Sequence, residues 1–222
     1  MPIASPAAGS HEYDNDVSDS LSIRLRSETK DAHVAAERSG IMQALLRGTI
    51  SRPNYVALLV NLAAIYRALE AELASHAEAP ALAGIDLSRL RRLPAIEQDI
   101  ATLAEPGAPT PAIRHATTKY VERLRYAGAS SPDLLLAHAY VRYMGDLSGG
   151  QILSGIVSKS LGLPYGQGAA FYSFPDIRDP AEFKKQFRLA LDAAAAVTSA
   201  DAIIAEAQYG FALHAQLFAE LE

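Results

Sequence analysis

Along the chain, large apolar residues recur with the spacing of helices that bury one face. The clearest example spans residues 54–73, where one stripe contains Tyr55, Leu58, Leu59, Leu62, Ile65, Tyr66, Leu69 and Leu73. No segment shows the alternation that is typical of a half-buried strand. Thr110, Ser131 and Asp179 each precede a proline, as expected where helices begin. We therefore predict a single all-α domain of roughly seven to nine helices.

One predicted helix, over residues 134–157, contains three glycines in its middle. Gly145, Gly149 and Gly150 should each cost about 1 kcal/mol of helix stability relative to alanine. Gly145 and Gly149 lie one turn apart, so they form a flat strip where another object can approach the backbone closely. Tight packing against a second helix, a kink, and a bound ligand all remain possible explanations.

Length and composition limit the alternatives. The chain has 222 residues, of which half are hydrophobic, and this is enough for one substantial core. Residues 1–17 lack the features of a signal peptide and are predicted to be a disordered lead-in, which leaves residues 18–222 as the domain. The absence of cysteine excludes thiolate ligands and disulfides and fits a reducing, cytoplasmic setting. The net charge of -5 argues against nucleic-acid binding, and no apolar run reaches membrane-spanning length.

The pentapeptide LSGGQ at residues 147–151 is also the signature of ATP-binding cassette ATPases. Such an ATPase needs a phosphate-binding loop of the form G-x-x-x-x-G-K-[ST], and no lysine here follows such glycines. Nucleotide binding is therefore not predicted, and the glycines need another explanation.

Charged and hydroxyl side chains accompany the glycine strip. Asp146 follows Gly145 directly, and Arg142 lies one turn earlier, so a carboxylate could be held beside a close-approach surface. Tyr140 and Tyr143 on the same helix, with Tyr66 on the earlier one, could extend a hydroxyl network toward it. A surface ion pair and half-buried tyrosine packing are the plainer alternatives.

His33 is the strongest candidate among the histidines for a metal ligand. Glu37 lies one turn later and could accept from one ring nitrogen while the other nitrogen binds a metal. A single helical histidine is nevertheless more often an exposed or satisfied side chain. His138 and His214 are also helical, and spacing alone does not exclude them.

Two pairs of cationic residues occur in which the two members lie one helical turn apart. Arg26 with Lys30, and Lys184 with Arg188, should repel slightly within each pair, so an anion between them is a reasonable hypothesis. An ordinary solvated face is the alternative.

Several blocks of the sequence resemble the heme oxygenase family. The segment HAYVRYMGDLSGGQIL, residues 138–153, is similar to the family's distal-helix signature, and ETKDAHVAAE, residues 28–37, resembles the segment with the proximal histidine. Similar stretches are FYSFPDI, EFKKQFR and the closing FALHAQLFAEL. The resemblance extends from about Leu21 to Glu222.

This resemblance implies a reaction and its participants. Haem b would be both substrate and cofactor, sandwiched between a proximal helix and a glycine-kinked distal helix. With dioxygen, and with electrons from a separate ferredoxin-type or flavoprotein reductase, it would be cleaved to biliverdin, carbon monoxide and ferrous iron. A bare glycine strip suits attack on the porphyrin, whereas distal acid-base side chains promote O–O cleavage in peroxidases.

The resemblance also implies a role for each candidate residue. His33 would be the axial ligand to the iron, with Glu37 orienting its ring, and Gly145 and Gly149 would cover the opposite face. Asp146 would hold a proton-donating water, supported by Arg142 and Tyr66. The remaining expected contacts to haem, mostly near its propionates, are Arg26, Lys30, Tyr140, Lys184, Arg188 and Phe211.

The sequence departs from the family pattern at two positions and leaves rival functions open. His214 stands where relatives often have asparagine, and could alter the water network or compete for iron; Val141 stands where some have threonine. The chain ends at Glu222 without the hydrophobic tail of animal relatives, so it resembles a soluble, bacterial-type member. A cytoplasmic location and a monomer are also expected. The rivals are a haem carrier, store or sensor, a helical interaction domain, and a thiaminase-like enzyme, which the lack of cysteine disfavours.

Overall fold

The architecture is helical throughout the described residues. The computed structural model describes residues 20–164 and 167–222, so the lead-in predicted over residues 1–17 lies outside the described part. Ten α-helices occur there: α1 Leu21–Glu28, α2 Lys30–Glu37, α3 Ile41–Leu46, α4 Arg52–Ser75, α5 Leu93–Leu103, α6 His115–Ser130, α7 Leu135–Ala139, α8 Gly145–Ser160, α9 Pro180–Ala194 and α10 Ala200–Glu220. Short 3-10 turns span Leu87–Leu90, Pro132–Leu134 and Ala170–Tyr172, and a π-helical segment spans Tyr140–Met144.

The all-α prediction is confirmed, and the larger helix count comes from two interruptions. Only Thr29 separates α1 from α2, and its hydroxyl donates to the Leu25 carbonyl oxygen at 2.6 Å. The π-helical segment separates α7 from α8 without leaving the helical path. Counted as continuous rods, the described helices number eight, which is within the predicted range.

Helix α4 is the central rod, and its predicted stripe is confirmed. Every residue of that stripe, from Tyr55 to Leu73, is buried. Ser51 caps the first turn by accepting from the Asn54 amide at 3.3 Å. The helix packs against α5, α6 and α7, so Tyr66 points into the middle of the molecule.

The helix start predicted at Thr110 is wrong, because α6 begins at His115. Buried Asn61 of α4 accepts from the Arg114 amide at 2.8 Å and from the Thr117 hydroxyl at 2.7 Å. Its own amide donates to the Ala112 carbonyl oxygen at 3.3 Å. The backbone before His115 is therefore satisfied by a side chain of another helix rather than by a helical turn of its own.

The helix starts predicted at Asp179 and Ser131 have different outcomes. Asp179 caps α9 by accepting from the Ala181 and Glu182 amides, both at 3.0 Å, so that prediction is confirmed. Ser131 precedes only a short 3-10 turn and makes no side-chain cap.

A buried polar cluster joins α6, α7 and α10. His138 is fully buried and contacts the Tyr120 hydroxyl at 3.2 Å and Glu206 at 2.8 Å. Arg123 donates to Glu206 through Nε at 2.8 Å and also through Nη2. Burial alone would raise the pKa of Glu206, but hydrogen bonds from Arg123 and His138 lower it to about 2. Both ring nitrogens of His138 are thus engaged inside the core, so His138 is a structural residue.

Helix α10 connects the elements that surround the candidate site. It packs against α2 on one side and against α6, α7 and the π-helical segment on the other. Within the described residues, no helix is both long and apolar enough to cross a membrane.

Candidate functional site

The helix predicted over residues 134–157 is present, but its irregularity lies before the glycines. The hydrogen-bond pattern changes to π-helical at Tyr140–Met144, whereas Gly145 and Gly149 lie in regular α-helix. A π turn accommodates an extra residue and often marks a functional site. Here it leads directly into the glycine strip and contains Arg142.

The three glycines have two different surroundings. A Cβ atom added to Gly145 would meet nothing within 4 Å, and one added to Gly149 would meet only Leu153 of its own helix, at 3.9 Å. A Cβ atom on Gly150 would instead lie 3.0 Å from the Tyr172 carbonyl oxygen. Tight packing therefore explains Gly150 alone, and the strip of Gly145 and Gly149 faces open space.

This difference predicts opposite effects of alanine on stability. Gly149→Ala should raise the free energy of unfolding of the ligand-free protein by up to about 1 kcal/mol, because alanine favours a helix and meets no obstacle. Gly150→Ala should lower it by about 1 to 2 kcal/mol, because the methyl group is forced against the backbone at Tyr172. Urea unfolding of the two variants would measure both changes. Destabilisation by Gly149→Ala would show that the strip is covered by protein.

Beside the strip, two of the predicted partners of Asp146, Arg142 and Tyr66, converge on it, whereas Tyr140 and Tyr143 make no hydrogen bond to it among the described residues. The Tyr66 hydroxyl donates to Asp146 Oδ2, and Arg142 Nη2 donates to Asp146 Oδ1 at 3.3 Å. Arg142 Nε also donates to the Tyr66 hydroxyl at 3.0 Å. About one tenth of the Asp146 and Arg142 side chains remains exposed, so the carboxylate is held within the protein and still borders the open side of α8.

The electrostatics of these residues favour a charged Arg142 beside the Asp146 carboxyl, whose pKa is subject to opposing effects. Burial raises the pKa of Asp146, while the Arg142 charge and the Tyr66 hydrogen bond oppose that rise. Burial raises the pKa of Tyr66 well above its usual value, so Tyr66 remains a hydroxyl donor. Burial alone would lower the pKa of Arg142, but Tyr66 and Asp146 raise it and keep the guanidinium charged.

His214 of α10 completes the arrangement around Arg142. Its Nε2 lies 2.8 Å from Arg142 Nη1, its Nδ1 lies 3.1 Å from the Gly210 carbonyl oxygen, and the residue is 2 % exposed. Both ring nitrogens are therefore engaged within the protein. The sequence pattern singles out His214 but does not reveal this contact.

His33 lies on the outer face of α2, with nearly half of its side chain exposed. Its Nε2 is 3.7 Å from Glu37 Oε1, which is longer than a hydrogen bond. The edge of its ring meets Phe211 of α10, with ring centroids 5.4 Å apart. The imidazole ring thus packs against Phe211 and is also accessible to solvent. A side chain that binds an external group must be accessible in this way.

The predicted cations are spread over α1, α2 and α9. Arg26 of α1 lies near part-buried Tyr140, where the π-helical segment begins. Helix α9, which carries Lys184 and Arg188, is joined to α1 where Asp192 accepts from the Ser22 amide at 2.7 Å. None of the four cations has a carboxylate within salt-bridge distance among the described residues.

The sequence reasoning missed the support for the segment that packs on Gly150. Buried Asp99 accepts from the Ala170 amide at 2.8 Å and the Phe171 amide at 2.7 Å, which fixes the 3-10 turn there. Arg92 donates to the Ser173 carbonyl oxygen, and its guanidinium lies 3.9 Å from the Phe174 ring centroid. A lone Asp on the apolar face of α5 was the available signal for Asp99.

Comparison with known proteins identifies the family. Residues 19–220 match the family model described as heme oxygenase. A heme oxygenase 1 from Nostoc sp. is 39 % identical over 93 % of this chain and 87 % of its own length. The solved heme oxygenase of Leptospira interrogans superimposes with a TM-score of 0.84 at 36 % identity, over 90 % of this chain and 99 % of the other. Heme oxygenase-1 of Synechocystis sp., solved in complex with heme, superimposes with a TM-score of 0.82 at 37 % identity. The match covers 91 % of this chain and 92 % of the other. The chain therefore belongs to the heme oxygenase family, the enzymes that cleave haem to biliverdin, carbon monoxide and iron.

Proposed function

We propose that this chain carries out that cleavage on a haem b held between His33 and the strip of Gly145 and Gly149. The observation that carries this proposal is the strip itself, which is open along its length and bordered by the Asp146 carboxylate, about one tenth of whose side chain is exposed. A flat macrocycle fits such a surface, because side chains there would keep it away from the helix backbone. When bound, the haem supplies the iron that activates dioxygen and the ring carbon that is oxidised.

On the proximal side, His33 is the proposed axial ligand. Its ring is accessible and rests against Phe211, and within residues 20–164 and 167–222 no group holds Nε2 within hydrogen-bond distance. Nε2 is the ring nitrogen nearest Glu37, at 3.7 Å, so the ring would turn over for Nε2 to bind iron and Nδ1 to donate to Glu37, in the way that carboxylates orient metal-binding histidines.

On the distal side, the proposed role of Asp146 is to hold a water molecule that delivers protons. Arg142 and Tyr66 fix the carboxylate, and its exposed tenth allows one water to bridge it to the open side of the helix. Proton delivery through a held water is less direct than delivery from a side chain over the ligand, which suits ring attack rather than O–O cleavage.

Around the edge, cationic side chains are proposed to fix the orientation of haem. Arg26 and Lys30 on one side, and Lys184 and Arg188 on the other, would pair with the propionates, and Tyr140 lies near Arg26. Charge-assisted hydrogen bonds of this kind would determine which ring carbon faces the strip.

The remaining participants are proposals from the sequence. Dioxygen is the expected co-substrate, and a separate ferredoxin-type or flavoprotein reductase is the expected electron donor, because the chain has no dinucleotide-binding motif. We also propose that the domain comprises residues 18–222 and acts as a cytoplasmic monomer. The cysteine-free composition supports a reducing compartment.

The direct test is turnover of hemin by the purified protein. With a ferredoxin or flavoprotein reductase system, air and catalase, the Soret band should disappear as biliverdin absorption grows and carbon monoxide is released. Haem that binds but persists with several effective donors would favour a carrier or sensor. Failure to bind haem at all would overturn the proposed site.

A further inference from the structure

The hydrogen-bond geometry around His214 determines which of its nitrogens carries a proton. Nδ1 faces the Gly210 carbonyl oxygen at 3.1 Å, and a carbonyl oxygen only accepts, so Nδ1 bears the hydrogen. Nε2 faces Arg142 Nη1 at 2.8 Å, and a guanidinium only donates, so Nε2 presents its lone pair. Each nitrogen thus has one complementary partner in a single ring orientation.

The contact with His214 is one of three hydrogen bonds that the guanidinium of Arg142 donates, one from each of its nitrogens. Nε donates to the Tyr66 hydroxyl at 3.0 Å, Nη2 to Asp146 at 3.3 Å and Nη1 to His214 at 2.8 Å. Because the guanidinium is planar and rigid, fixing Nη1 also fixes the directions in which Nε and Nη2 point. The Nη1 contact is the shortest of these three. Its acceptor, His214, lies on α10, whereas Tyr66 lies on α4 and Asp146 on α8.

We propose that neutral His214 is a positioning residue, which sets the carboxylate of Asp146 by accepting a hydrogen bond from Arg142. This inference rests on the proposed proton-delivery role of Asp146. It extends that role across Arg142 to a nearly fully buried residue that makes no hydrogen bond to Asp146 among the described contacts.

The surroundings of His214 maintain its neutral form. Burial and the adjacent Arg142 charge lower the pKa of His214 well below its usual value. The ring is enclosed by Tyr120 in an edge-on contact, with centroids 4.8 Å apart, and by Phe218 at 5.7 Å. A protonated ring would place two positive charges in contact inside the core, which is costly.

A packing role and a positioning role make opposite predictions for two substitutions. Phenylalanine keeps the ring volume between Tyr120 and Phe218 but offers Arg142 no acceptor. Glutamine loses the ring, yet its side-chain oxygen can reach the place of Nε2 and accept from Arg142. We expect His214→Phe to lower the rate of biliverdin formation about 10-fold or more, since a charged hydrogen bond is lost. His214→Gln should keep most of the rate.

The test combines these rates with nitrogen NMR of the full chain without haem. At neutral pH, wild-type His214 should show a protonated Nδ1 and an unprotonated Nε2, and the Nη protons of Arg142 should shift in His214→Phe but not in His214→Gln. A protonated Nε2, a rate for His214→Phe equal to wild type, or a His214→Gln rate as low as that of His214→Phe would each overturn the inference. If wild type forms no biliverdin, the proposed function fails, and the NMR spectra still decide whether His214 holds Arg142.

Discussion

Replacing Asp146 with alanine should lower biliverdin formation by about 100-fold or more, as expected when a positioned proton-transfer group is lost. Haem should still bind, because Asp146 lies beside the glycine strip rather than on the proximal side. The reason for the loss is that Tyr66 and Arg142 would keep their places but would have no carboxylate between them to hold the proton-delivering water. Reduced oxygen should then be released or cleaved without opening the ring, so less biliverdin and carbon monoxide should form per electron consumed.

Two further variants separate charge from structure in this prediction. Asp146→Asn keeps the shape and one acceptor oxygen, so it should fold like wild type and still show a large loss of rate. Asp99→Asn also removes a buried carboxylate, but one that only fixes the backbone at Ala170 and Phe171, so its yield of biliverdin per bound haem should remain normal. A full yield from Asp146→Ala would refute the role assigned to Asp146.

Replacing His33 with alanine should remove the normal axial ligation. We expect haem affinity to fall by more than the ~10- to 100-fold that loss of an outer partner of a metal ligand typically costs. The optical and electron paramagnetic resonance spectra of the ferric complex should change, and added imidazole should restore them by filling the space beside Phe211. Spectra that match wild type would refute His33 as the ligand.

The chain offers a matched control for His33. His76 also lies one helical turn from a glutamate, Glu72, with the same separation of 3.7 Å between ring nitrogen and carboxylate oxygen. It follows Ser75, the last residue of α4, and its ring lies beside Gly128 of α6. His76→Ala should therefore leave haem affinity and spectra unchanged, which would show that the effect at His33 does not follow from losing any histidine paired with glutamate.

The parts of the structure that depend on local pattern could be predicted from the sequence. The buried stripe of α4 follows from spacing alone, because burying one face of a helix requires apolar residues at that period. The grouping of Asp146 with Arg142 also follows, since residues one turn apart on a helix are neighbours. Tyr66 was a reasonable third member, but its contact depends on how α4 crosses the distal helix.

Other features depend on groups that are distant in sequence. The late start of α6 results from Asn61, a buried amide on another helix that binds the preceding backbone. The π-helical segment and the pairing of His138 with Glu206 likewise depend on what packs against α7. No local rule predicts such contacts, because the partners are brought together only by the tertiary fold.

Helix α10 places a residue on each side of the proposed haem site. Phe211 supports the imidazole of His33, and three positions later His214 holds Arg142. Because an α-helix advances 1.5 Å and turns 100° per residue, these two supports are about 4.5 Å apart along one stiff rod. The spacing of Phe211 and His214 on α10 therefore helps to set the distance between His33 on one face of the site and Arg142 on the other. An insertion or deletion between Phe211 and His214 would change that distance and turn one support away, so the length of this short stretch should tolerate less variation than the identity of its residues.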